Sequence, residues 1–260
     1  EAVKGAPDQS MPLAQRLAEV GLMPMFGFPT RIRTLYTQRP RTARQWPPSD
    51  TIQRDAGIAL STWAPGSEIV KDKAIHRVVG LVSYVPQGQK VVVDPATPGR
   101  KSDLGYCSSC GTVDTQPQSR TRCPACGAPP AVGSDDGLPG YRSFRSVEPI
   151  GYRTDYVSRD YRDWFEWAAS GSRPRMGADL LPEGQVRHAR IGSGQATVFE
   201  INDNRGRDWR FAPQVNGEGW ICPDAVTDDK GHLTRYRQDQ EERLALVAST
   251  RTDVLVVGIS

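Results

Sequence analysis

Cys107-Ser108-Ser109-Cys110-Gly111 and Cys123-Pro124-Ala125-Cys126-Gly127 are two Cys-x-x-Cys-Gly units, with twelve residues between Cys110 and Cys123. This spacing is the sequence form of a four-thiolate zinc site. A tight knuckle turn brings residues i and i+3 together, so each pair can aim both sulfurs at one ion. The glycine after each second cysteine suits the positive φ that such a turn demands. Backbone N–H groups inside the knuckle would then point at the thiolates and stabilise their charge. The alternatives are two disulfides or four reduced thiols. Four cysteines around one zinc leave no open position for water, so the expected ion is structural rather than catalytic.

Working outward, the bulk composition fits a small-element β protein. The chain has 260 residues, 37% of them hydrophobic, with Gly 25 and Pro 21. Such a length buries a real core, and so much glycine and proline implies short strands and turns rather than long helices. No apolar run approaches the ~20 residues of a membrane span, and no signal peptide is visible at the start. Five cysteines, four of them assigned to metal, point to a reducing compartment and a cytoplasmic location. Cys222 has no partner in the sequence and reads as a buried or partly buried thiol. The chain begins at Glu1 without a methionine and ends in a strand-like Asp253–Ser260 run. It is therefore read as a piece of a larger protein.

Before the cysteines, Ser10 is placed to cap a short helix with Leu13, Leu17 and Val20 along one face. Ser49 or Asp50 is placed to cap a second, carrying Ile52, Ala56, Leu60 and Trp63, and Pro65-Gly66 ends it. Between them, Ile32 to Tyr36 alternates like a strand with Arg31 and Arg33 on one face. From Glu68 the period is two: a hairpin turning at Lys71-Asp72-Lys73, a return strand from Ile75 to Val85, and a third strand to Val93. Past Tyr141 the signals are strands and turns. Asn202 to Gly206 reads as a hairpin turn between Ala196–Ile201 and Asp208–Phe211. Leu244–Ala248 and Val254–Ile259 read as two strands of one sheet.

Together these readings predict a β-rich α+β fold. It has mixed small sheets or a barrel-like domain, an inserted four-cysteine zinc ribbon and two short N-terminal helices. The segments are a helical, arginine-rich lead-in and connector over 1–66, a hairpin region over 67–100, the ribbon over 101–130 and a β-rich domain over 131–260.

The net charge is only +3, but 27 of the 33 basic residues are arginine, which suits phosphate and base-stacking contacts. Arg31 and Arg33, flanked by Phe26, Phe28 and Tyr36, are candidates to grip phosphates and stack on bases. Arg41 and Arg44 in the following connector extend the set. The competing reading is an edge strand with solvated arginines and core aromatics. No Gly-x-x-x-x-Gly-Lys-Ser/Thr loop occurs. His76, His188 and His232 lie far apart and read as surface or structural residues, and no catalytic constellation is visible.

Phe26-Gly-Phe-Pro-Thr-Arg-Ile-Arg33, Ala64-Pro-Gly-Ser-Glu-Ile-Val-Lys-Asp72 and the Cys107–Cys126 ribbon follow one another in that order. In this the chain resembles the C-terminal region of large superfamily 2 DEAD/DEAH-type helicases of DISARM anti-phage defence, the DrmA-like family. The partner DrmB-like family, with similar C-terminal material, is a related alternative. The resemblance implies DNA handling, with Arg31 and Arg33 touching DNA or the motor lobes. It also implies an ATP-driven motor outside this stretch and a second defence-system subunit as a further partner. The reading from another class is a protein-interaction scaffold that never meets nucleic acid.

Overall fold

The computed structural model describes residues 31–131, 140–162, 175–177, 183–186, 189–227 and 235–259. The first expected helix, with Phe26 and Phe28, lies outside them, as do His188 and His232. The leading strands are β1 (Ile32–Tyr36), β2 (Thr51–Asp55), β3 (Glu68–Lys71), β4 (Ala74–Leu81), β5 (Tyr84–Gln87) and β6 (Lys90–Val93). The ribbon region holds β7 (Gly99–Cys107), β8 (Val113–Asp114) and β9 (Tyr141–Pro149). After it come β10 (Gly151–Thr154), β11 (Arg159–Asp160), β12 (Arg175–Met176) and β13 (Glu183–Val186). The last are β14 (Ala189–Asn202), β15 (Trp209–Pro213), β16 (Trp220–Ile221) and β17 (Glu242–Ile259). Among the described residues the one α-helix is α1, Ala56–Thr62.

The main sheet runs β2-β1-β10-β4-β16-β15-β17-β9-β7-β8. Strands β3 and β11 pair with β4, β14 with β17, and β12 and β13 with β14. It is mixed: β1 lies parallel to β10 and β17 parallel to β9, and the other ladders are antiparallel. Its ends, β2 and β8, do not pair, so the expected barrel-like closure is replaced by an open sheet. Strands β5 and β6 form a separate two-stranded ribbon.

The second predicted helix is shorter than its apolar spacing suggested. Thr51–Asp55 is extended because its backbone is taken up by β1, with Ile32 opposite Asp55 and Tyr36 opposite Thr51. The helix therefore starts at Ala56, with its cap at Asp55 rather than Ser49 or Asp50, where Asp55 Oδ1 accepts from Gly57 N at 2.9 Å. Gly66, at φ 91°, turns the chain after it. Leu60 and Trp63 bury against Leu35, Val78, Tyr152 and Leu246 in the principal core. Asn202 Nδ2 donates to the Leu60 carbonyl at 3.0 Å, satisfying a backbone oxygen near the helix end.

Three other expectations change through long-range pairing. The Ile75–Val85 run breaks after Leu81, because β4 stays in the main sheet while β5 folds onto β6. Asn202–Gly206 does not close a hairpin. Its flanking strands β14 and β15 both pair with β17, Asn202 opposite Leu246 and Trp209 opposite Leu244. The two C-terminal strands are one, since β14 pairs with β17 without interruption from Ala189–Ile259 to Asn202–Leu246. The Lys71–Lys73 turn holds: Asp72 and Lys73 take φ of 51° and 61°.

Candidate metal centre and basic cleft

β7 and β9 form a long antiparallel pair, from Gly99 opposite Pro149 to Cys107 opposite Tyr141. The ribbon is the tip of this pair. Cys107 is its last β7 residue, and the two knuckles fold back over Tyr141. Both knuckles close in the same way. Gly111 N donates to Cys107 O at 2.8 Å and Cys107 N to Thr112 O at 3.1 Å; Gly127 N donates to Cys123 O at 2.9 Å and Cys123 N to Ala128 O at 3.0 Å. Gly111 and Gly127 take φ of 77° and 73°, the left-handed geometry that the sequence reading required of them.

The four sulfurs lie within 4.8 Å of one another. Cys107 Sγ is 3.7 Å from Cys126 Sγ, and Cys110 Sγ 3.6 Å from Cys123 Sγ. These separations are far beyond the ~2.05 Å of a disulfide. They match the ~3.8 Å edge of a tetrahedron built on ~2.3 Å metal–sulfur bonds. The cluster can therefore hold a metal ion. Cys107 and Cys123 are buried, while Cys110 and Cys126 face outward.

The surroundings pull the thiols in opposite directions, lowering Cys110 and raising Cys123 and Cys126. Backbone N–H groups point to sulfur: Thr112 to Cys110, Ala125 and Cys126 to Cys123, and Ala128 to Cys126. Burial works against ionisation of Cys110, but the Thr112 hydroxyl at 3.3 Å, the Thr112 N–H and the neighbouring sulfurs bring it down to about 7. At Cys126 the Ala128 N–H favours the thiolate. Desolvation and the other three sulfurs outweigh it and push the thiol up to about 12. Four like charges in one small volume resist one another, and a bound cation removes that conflict. Behind the knuckles Tyr141 Oη donates to Asp114 Oδ2 at 2.9 Å, and Arg120 approaches Asp114 at 3.6 Å. A side chain on Gly105 would strike the Tyr141 ring, so this close approach requires glycine. The remaining cysteine, Cys222, is buried away from the cluster, and burial pushes its thiol up to about 12.

The four candidate arginines fall into two pairs. Arg31 Nη1 donates to the Ser249 carbonyl at 2.8 Å, and its Nη2 lies 3.8 Å from Asp55. Arg33 lies 3.6 Å from Glu148 and donates to the Ile32 carbonyl at 3.3 Å. Both guanidinium groups thus have partners inside the fold. Leu35, two residues on from Arg33, is fully buried, whereas Ile32 is exposed, so β1 presents no simple arginine face. Arg41 precedes the 3₁₀ turn Ala43–Gln45 and Arg44 is its middle residue; both are exposed and have no ion-pair partner among the described residues. Arg41, together with Arg39, His76, Tyr156 and Ser158, lines a cleft of about 520 Å³. No local signal in the sequence joins these residues, because the cleft forms only when β4 and the turn after β10 meet the connector that follows β1.

No family model matches the chain, and no curated protein or solved structure is similar enough to match it.

Proposed function

We propose that this chain is a zinc-stapled accessory region of an ATP-dependent DNA translocase in bacterial phage defence. It guides DNA past the motor or docks a partner subunit, and performs no reaction itself. The observation that supports this most is the four-sulfur cluster. An all-thiolate tetrahedral set suits zinc, and it is closed, which fits a staple rather than a catalytic centre. The DNA-handling part rests on the resemblance to the helicase C-terminal region and on the uncommitted charges of Arg41 and Arg44. Metal analysis of the purified chain should give one zinc per chain, and Cys123→Ser should abolish it. Binding to a labelled DNA strand should weaken steeply with salt. Stoichiometric zinc without salt-sensitive DNA binding would replace this reading by the second one.

That second reading is a scaffold that contacts only protein. It is favoured by the internal engagement of Arg31 and Arg33 and by the exposed apolar residues Ile58, Val215 and Leu255. The double variant Arg31→Ala/Arg33→Ala separates the two roles of those arginines. If they contact DNA, both affinity and salt slope fall. If they serve only the fold, the melting temperature falls and DNA affinity does not.

A further inference from the structure

The cleft beside β4 carries unbalanced positive charge. Arg39 is paired with Glu218, and Arg159 with Asp155, so these four groups cancel. Arg41 has no such partner among the described residues. Behind Tyr156, its guanidinium 4.4 Å from the ring centroid, lies Arg153, fully buried. Arg153 hydrogen-bonds only to neutral oxygens, those of the Gln214 side chain and the Glu218 and Thr154 carbonyls, and its Nη2 has no hydrogen-bond partner. A buried cation without a counter-ion is costly, and an anion nearby lowers that cost. His76 sits in the same wall, 7% exposed, with Nδ1 lacking any hydrogen-bond partner. The fold thus holds a buried, unpaired polar atom on a residue that lines the cleft.

We propose that this cleft seats a phosphate group of a nucleic-acid strand, gripped by Arg41 and by Nδ1–H of His76. The assignment to a strand rests on the DNA-handling reading above. The donors are of three kinds, guanidinium, imidazole and the Ser158 hydroxyl, all on residues that line the one cleft. An oxyanion with several acceptor oxygens satisfies such a set better than a single carbonyl does. Arg41 contributes charge and a planar donor fork, while Arg153 acts from behind Tyr156 as a fixed positive field.

The test uses the whole 260-residue chain, metal-loaded, with two probes: a fluorescent single-stranded oligonucleotide and inorganic phosphate. Arg41→Ala should weaken the oligonucleotide about tenfold and lower the salt slope by about one. Phosphate should compete with the oligonucleotide and shift the imidazole resonances of His76. His76→Leu should weaken binding, and His76→Asn, which keeps a polar atom near the Nδ1 position, should restore it. That pair of variants separates a lost contact from a packing defect. Arg54→Ala, an exposed position on β2 outside the cleft, should leave phosphate binding unchanged. If the chain binds the oligonucleotide but Arg41→Ala and His76→Leu bind as well as the parent, the cleft proposal is overturned and the DNA-handling reading stands. If phosphate shifts His76 but no oligonucleotide binds, the strand assignment and the DNA-handling reading fall together. If neither probe binds, the site does not exist.

Discussion

Glu68 is 3% exposed, and both its oxygens accept from Arg162 Nη2 at 2.8 Å, with Arg77 at 3.6 Å. Removing its charge takes a buried counter-ion away from two arginines. Because Arg162 is 40% exposed and can rehydrate, Glu68→Gln should cost about 2 kcal/mol rather than the full cost of a dry ion pair. Urea denaturation of the two proteins measures it. His76 gives a pH signature. Burial lowers its pKa, Asp155 and Asp72 oppose this, and Lys71 and Arg159 add to it. The folded-state value therefore lies below the unfolded one of about 6.5. Between the two the unfolded chain binds the extra proton. Stability is thus full above the unfolded value and is lost as pH falls through the folded one. Melting should drop from about pH 7.5 to about pH 5.5 by a margin that shrinks in His76→Asn. At this scale the sequence was most legible where chemistry is local. The four cysteines and their glycines could be read directly, since each knuckle is closed by residues at most five apart. Arg153 could not, because its burial is set by Gln214 and Glu218, more than sixty residues away.

Elements follow the same division. The Lys71–Lys73 turn and the stop at Pro65-Gly66 are short-range and were readable. The start of α1 was not, because Ile52 fits either a helix face or a strand, and pairing with β1 decides. Asp55 is thereby promoted from a helix-interior position to the cap. Asp55→Ala should cost about 1 kcal/mol, the usual value of an N-cap, seen as a lower denaturation midpoint with an unchanged slope. The loop between β14 and β15 carries a turn-forming sequence, and it does turn locally: Asp208 N donates to Asp203 O at 2.8 Å. Its strands nevertheless choose β17, where they extend one continuous partner. Arg142 then fills the loop, reaching Asp203 at 2.9 Å and Asp208 at 3.0 Å.

For the whole molecule, the four-cysteine cluster and the main core bury separate sets of side chains. Cys107, Cys123 and Tyr141 form their own small cluster, apart from the core around Trp63, Phe211 and Leu246. Chelation should therefore expose the amides of 107–128 to hydrogen exchange while the far-UV signal of the sheet persists. Loss of the entire sheet on chelation would show instead that the two are one cooperative unit. The knuckles sit at one end of the β7–β9 ladder, and that position has a consequence for insertions and deletions. Side chains on a strand alternate between faces, so a slip of one residue would carry Leu104 from the apolar side to the opposite one. A metal ion held by the four sulfurs would pin Cys107, and the strand would then have no freedom to slide. Losing a single residue between Gly99 and Cys107 would force a choice between the ion and the apolar contacts of Leu104, whereas one lost from the loop between the knuckles would leave the ladder's register untouched.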